Sequence, residues 1–158
     1  MSKLTHFSAD GRPVMVDVSD KPITARTAKA VGSIKTAPET LNAVREGTKK
    51  GDVISVAMIA GIAGAKRTSD LIPLCHPLPL TKADVTITVD ADLPGLRVTS
   101  IAKTDGKTGV EMEALTAVSV ACLTLYDMLK AVDQAMVISD ISLVEKTGGT
   151  RDRSPAGA

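Results

Sequence analysis

The chain has 158 residues, enough for one domain with a real core, and its 19 Lys and Arg against 18 Asp and Glu leave a net charge of +1. A charge so close to zero provides no overall field for nucleic acid or an anionic membrane, and one Tyr, one Phe and no Trp leave no aromatic platform for stacking bases. Two cysteines, Cys75 and Cys122, are too few for a disulfide framework or a four-ligand zinc site, which fits a reducing, cytosolic compartment.

Met1 to Pro13 is polar, lacks the apolar stretch of a secretory signal and reads as a loose terminus. Val14 to Val18 reads as a short strand. Ile23 to Lys35 alternates, with Ala28, Ala30, Gly32 and Ile34 on one side and Thr27, Lys29, Ser33 and Lys35 on the other, which predicts a strand. Thr36 is placed to cap a helix from about Ala37 to Glu46, with Pro38 tolerated in the first turn and Gly47 closing the end. Asp52 is placed to cap a second helix reaching about Arg67, whose Ala57, Ala60, Gly61 and Gly64 make a small-residue surface for close packing. The uncharged run inside it, Val53 to Ala65, is closed by Lys66 and Arg67 and falls short of the ~20 apolar residues that span a bilayer, so a soluble protein is expected.

Leu71 to Leu80 reads LIPLCHPLPL, and Pro73, Pro77 and Pro79 exclude a regular helix or a central strand. An apolar, stiff loop of this kind calls for a cover, from the core or from a second subunit. Val85, Ile87 and Val89 alternate as a strand, Leu93-Pro94-Gly95 turns, and Leu96 to Lys103 returns as the second arm of a hairpin. A long helix over Gly109 to Asp133 and a last strand over Met136 to Glu145 follow. The order βααββαβ predicts an α+β fold, a ferredoxin-like split βαβ with an antiparallel sheet packed on helices. One domain spans 1–158, with 1–13 and 147–158 flexible.

The long helix carries apolar and small residues from Ala114 to Leu125 and charge at both ends. Glu111 and Glu113 suit the positive end of the helix dipole, and Asp127 and Lys130 share a face as an i, i+3 ion pair. The sixteen positions from Glu111 to Asp127 correspond to roughly 24 Å along the axis, too far for one small-molecule site on one helix. An antiparallel copy of the helix would bring the two ends together, which hints at a site shared between subunits.

Gly106-Lys107-Thr108 is not a phosphate loop, because the position five before Gly106 is Ile101 rather than Gly. Cys75 and His76 are adjacent and His6 lies in the loose terminus, so the residues do not call for a metal. His76, held between Cys75 and Pro77 in a rigid apolar loop, can present an imidazole to a heterocycle and suits proton transfer near neutral pH. Lone histidines are more often structural, and Lys50, Lys66 and Arg67 read by default as solvated surface. A carboxylate beside an ammonium, as in Asp127 and Lys130, holds an acid/base pair next to a phosphate if it lies in a cleft. Cys122 reads as an inert core residue.

IAGIAGAKRT at Ile59–Thr68, DLIPLCHPL at Asp70–Leu78 and KTGVEMEALTAVSVACLTLYDM at Lys107–Met128, followed by KAVD, closely resemble the molybdenum cofactor biosynthesis protein C (MoaC) family. MVDVSDK at Met15–Lys21 and EKTGG at Glu145–Gly149 extend the likeness over most of the chain. The resemblance implies a cytoplasmic cyclic pyranopterin monophosphate synthase, a lyase acting on 3',8-cyclo-7,8-dihydro-GTP to give the cyclic phosphate and diphosphate. It implies Asp127 as the catalytic acid/base with Lys130 and Lys50 as cationic partners, and His76 beside them. Leu74, Cys75, His76, Met112 and Glu113 would line the substrate pocket, joined by Glu111. The family's assembly implies a homohexamer, a trimer of dimers, with the site between subunits. No cofactor is implied, and Mg²⁺ is left open as a companion of the triphosphate. One departure lies in the tail: Thr150, Arg151 and Asp152 follow Gly148-Gly149 where the family commonly carries Lys-Ser-Gly, so the tail is left out of the site. The competing reading is an inactive ligand-binding or scaffold domain on the same fold.

Overall fold

The computed structural model describes residues 5–47 and 52–154. Its central strand is β1 (Thr24–Lys35), where the alternation places Ala28, Ala30 and Ile34 fully buried on the inner face. A Cβ on Gly32 would lie 2.5 Å from Val118 Cγ1, so this position is bare because a helix presses on it. After helices α1 (Pro38–Glu46), α2 (Val53–Lys66) and the single turn α3 (Thr68–Leu71), the hairpin β2 (Leu80–Asp90) and β3 (Gly95–Gly106) forms. The long helix α4 (Glu111–Leu129) and β4 (Val137–Thr147) complete the chain.

β1 pairs antiparallel with β3 along its whole length, from Thr24 opposite Gly106 to Lys35 opposite Gly95. β4 pairs with its other edge and β2 with the outer edge of β3, giving the order β2-β3-β1-β4 with every pair antiparallel. β3 thus splits the β1–β2 unit, which is the α+β ferredoxin-like arrangement. Helix α2 covers β2, and α4 crosses β1, β3 and β4.

The helices meet through the small-residue surface. A Cβ on Gly61 would lie 2.9 Å from the Ala117 carbonyl oxygen, and one on Gly64 would lie 2.8 Å from Val120 Cγ2. Ala57 is buried beside them, while Ala60 sits at the flank. Among the described residues α4 is the one helix long and apolar enough to cross a membrane, and 56% of that stretch is buried inside the fold.

Three expectations are corrected. Val14–Val18 is no strand: the nearby pairing is a single bridge, Phe7 with Pro13, and Val14 and Met15 are both exposed, so the alternation has no apolar face to bury. Thr36 does not cap α1; its hydroxyl donates to the Ala37 carbonyl. The cap comes from Asp133, whose Oδ2 accepts from Ala37 N at 2.7 Å and from Thr40 Oγ1 at 3.1 Å, while Oδ1 accepts from Ala135 N at 2.9 Å. Helix α4 ends at Leu129, short of Asp133, because the Val132 and Asp133 amides both close on the Leu129 carbonyl. Asp52 caps α2 as expected, accepting from Ile54 N and Ser55 N.

Candidate active site

The segment between α3 and β2 is held out of regular structure by its prolines and runs beside the first turn of α4. A groove of about 770 Å³ lies between them, with Leu74, Cys75, His76 and Met112 along its wall and Glu111 at one end. Leu74, Cys75 and His76 are half-buried, so the groove is apolar and partly covered. The His76 Nε2 lies 2.7 Å from the Val16 carbonyl oxygen, which only accepts. Nε2 therefore carries the proton, and in the neutral ring Nδ1 is the basic nitrogen.

Beyond Glu111 a second cleft of about 710 Å³ opens, lined by the cations Lys21, Arg26, Lys107, Lys146 and Arg151. Arg26 is oriented by its own sheet: Nε and Nη2 donate to the carbonyls of Gly106 and Lys107, each at 3.3 Å. Lys107 donates to the Ser19 carbonyl at 2.6 Å. Lys146 and Arg153 exchange backbone hydrogen bonds of 2.8 and 2.9 Å, a turn that brings Gly149 and Arg151 back to the cleft wall. The two clefts share Thr108, Gly109 and Glu111. At that seam Lys146 Nζ meets Glu111 Oε1 at 2.7 Å, with both side chains about one-third exposed or less. One end of this surface suits a polyanion and the other a flat, weakly polar ring.

Glu113 lies two positions on, in the same helical turn, and is 3% exposed. Its Oε2 is fully buried, with no hydrogen-bond partner among the described residues. Burial pushes the carboxyl up from its ordinary value, its own backbone amide opposes this, and the neighbouring Glu111 charge adds to the rise. Burial first, then Glu113 and Glu111, also raise the Cys75 thiol, which stays protonated at neutral pH. Cys122, in the middle of α4, is pushed up to about 11 by burial alone and is a core residue.

At the far end of α4, Lys130 Nζ lies 2.6 Å from Asp127 Oδ1, with side chains 54% and 60% exposed. The hydrogen bond and charge of Asp127 hold the Lys130 ammonium above its ordinary value. The pair lies in neither cleft wall. Lys50 lies outside the described residues. The chain thus brings together Leu74, Cys75, His76, Glu111 and Met112, seats Glu113 behind them, and leaves Asp127 and Lys130 a helix length away.

The family model described as the MoaC family matches residues 15–149. The chain belongs to the MoaC family. Cyclic pyranopterin monophosphate synthases from Dinoroseobacter shibae and from Cereibacter sphaeroides (strain KD131) are each 60% identical to it, over 157 residues and 99% of both chains in the first case and over 159 residues and all of both chains in the second. The protein of the same name from Methylobacterium sp. (strain 4-46) is 61% identical over 150 residues, 94% of each chain.

Within this MoaC-family chain, the cationic cleft is the part of the candidate site that sequence reading missed. Lys21, Lys107 and Lys146 each stand inside a stretch that carries the family likeness, which was the available signal. Arg26 reads as one residue of an alternating strand, and Arg151 lies in the tail that departs from the family pattern. Pairing of β1 with β4 brings Arg26 and Lys146 together, and the segments before β1 and after β3 and β4 add Lys21, Lys107 and Arg151, across separations that no local spacing shows.

Proposed function

We propose that this chain is a cytoplasmic cyclic pyranopterin monophosphate synthase, a phosphorus–oxygen lyase converting 3',8-cyclo-7,8-dihydro-GTP to cyclic pyranopterin monophosphate and diphosphate. The observation that carries the reading is the seam: an apolar groove and a five-cation cleft meet at Thr108, Gly109 and Glu111. A nucleoside triphosphate has that same division into heterocycle and polyanion. The heterocycle lies along Leu74, Cys75, His76 and Met112, with Glu111 at the junction and Glu113 beneath. The triphosphate lies among the lysines and arginines, whose charge stabilises diphosphate as it leaves.

Rebuilding the purine as a pyranopterin moves several protons, and closing the cyclic phosphate needs a hydroxyl to lose its proton as its oxygen attacks phosphorus and diphosphate departs. His76, with Nδ1 basic, serves the first task. Asp127, with Lys130 and Lys50, serves as the further acid/base group, reaching the groove from a neighbouring subunit of a homohexamer built as a trimer of dimers. The roughly 24 Å between Glu111 and Asp127 on one helix requires that second chain. Val56 and Ile59 on α2 and Leu123 on α4 stand exposed, the last two at 68% and 61%, and offer an apolar surface for it.

The test is turnover of 3',8-cyclo-7,8-dihydro-GTP by the purified chain, following pterin product and diphosphate together. Both should form in equal amounts, and Asp127→Ala, with an unchanged circular dichroism spectrum, should lose at least about a hundredfold in rate. Binding of the compound with neither product formed would overturn the reading in favour of an inactive scaffold.

A further inference from the structure

The seam between the two clefts depends on a residue with no side chain. Gly109 precedes α4 by two positions, and its φ lies outside the left-handed region, where among the described glycines only Gly11, Gly47 and Gly148 lie. Alanine therefore fits its backbone. The three heavy atoms nearest a Cβ at this position all belong to the Glu111 carboxyl, with Cδ at 2.7 Å, Oε1 at 2.9 Å and Oε2 closer still. None of these three is a main-chain atom. The carboxyl folds back over the bare Gly109 backbone instead of pointing out from the helix, and in that position Oε1 reaches Lys146 at 2.7 Å across from β4.

We propose that Gly109 is a positioning residue: the absence of its Cβ lets Glu111 fold back onto Lys146 and place a neutral ion pair at the boundary between the cationic cleft and the apolar groove. Among the described residues Glu111 is the one carboxylate in the wall of the cationic cleft, so its position decides how much of the Lys146 charge an incoming phosphate meets. A methyl group at 109 pushes the carboxylate off Lys146 while leaving the backbone path unchanged. The side chain can swing toward solvent, so the cost falls on the ion pair and not on the fold.

The experiment is a double-mutant cycle of wild type, Gly109→Ala, Glu111→Ala and the double variant, read by calorimetric binding of inorganic diphosphate and by melting temperature. Each single variant unmasks Lys146 and should bind diphosphate about threefold or more tightly than wild type, and the double variant should match Glu111→Ala. Gly109→Ala should melt within about 2 °C of wild type, as a displaced, partly exposed ion pair allows. The inference is overturned if Gly109→Ala leaves diphosphate binding unchanged, if it has the same effect with and without Glu111, or if it lowers the melting temperature equally in both backgrounds. It is overturned as well if none of the four proteins binds diphosphate, because the ion pair then borders no anion site. The placement of the triphosphate rests on the proposed function, but the cycle does not need turnover. An inactive wild type with an intact cycle defeats the synthase reading alone, and an active wild type with an additive cycle defeats the role of Gly109 alone.

Discussion

Glu111 and Glu113 share the first turn of α4 and occupy opposite settings. Glu111 is ion-paired at 2.7 Å with Lys146, whereas Glu113 is 3% exposed and has an oxygen with no partner among the described residues. The sequence places both at a helix start, where a carboxylate is stabilised by the dipole, and that reading assumes water around them. The fold removes the water from Glu113 and sets it close enough to Cys75 for its charge to raise that thiol, a proximity that lies outside any local window. The consequence is testable through pH. A carboxyl raised by burial favours the folded state while it is protonated, so its contribution is complete below the ordinary value of 4.5 and disappears as pH rises through the folded value. Denaturation from pH 4 to 8 should therefore show wild type losing stability across that window, with Glu113→Gln flatter and no less stable at pH 8. A Gln variant that keeps the wild-type slope and is weaker at pH 8 would show that the charged form is accommodated.

Strands and helices were legible in the sequence wherever their signals were local. The alternation in β1, the hairpin, the Asp52 cap and the Ala57, Gly61 and Gly64 surface of α2 each appear as the residues suggest. Alternation over Val14–Val18 failed because a strand also needs an edge and something to cover its apolar face. The N-terminus of α1 failed for a related reason: Asp133, 96 positions from Ala37, ties this end down through the Ala37 amide and the Thr40 hydroxyl, and the Thr36 hydroxyl turns to the Ala37 carbonyl instead. Asp133→Ala should cost about 2 kcal/mol in urea denaturation at neutral pH, since it removes a cap and leaves the buried Thr40 hydroxyl and the partly buried Ala37 amide unpaired. The Ala37 amide above all holds this carboxylate below its ordinary 3.8, so its contribution is present above that value and is lost as pH falls through the lower, folded one. The gap between wild type and variant should therefore narrow in acid. A gap that stays constant from pH 7 to pH 2 would remove Asp133 from the cap.

At the scale of the whole molecule, one chain holds a groove and a cationic cleft at one end of α4 and the Asp127–Lys130 pair at the other. Helix length puts the two ends roughly 24 Å apart, and this was readable in the sequence; the exposed apolar faces at Ile59 and Leu123 that a second subunit would cover under the proposed function were not, because neither residue carries a local mark of an interface. The central claim is a synthase site completed by a second subunit, and the most direct measurement is complementation. His76→Ala and Asp127→Ala, each inactive alone, are unfolded together and refolded as mixed oligomers, then assayed for pterin and diphosphate formation from 3',8-cyclo-7,8-dihydro-GTP. Sites that take His76 from one subunit and Asp127 from its neighbour should recover about a quarter of wild-type activity on random mixing. Mixed oligomers that stay as inactive as their parents, beside an active wild type refolded in the same way, would contradict the shared site.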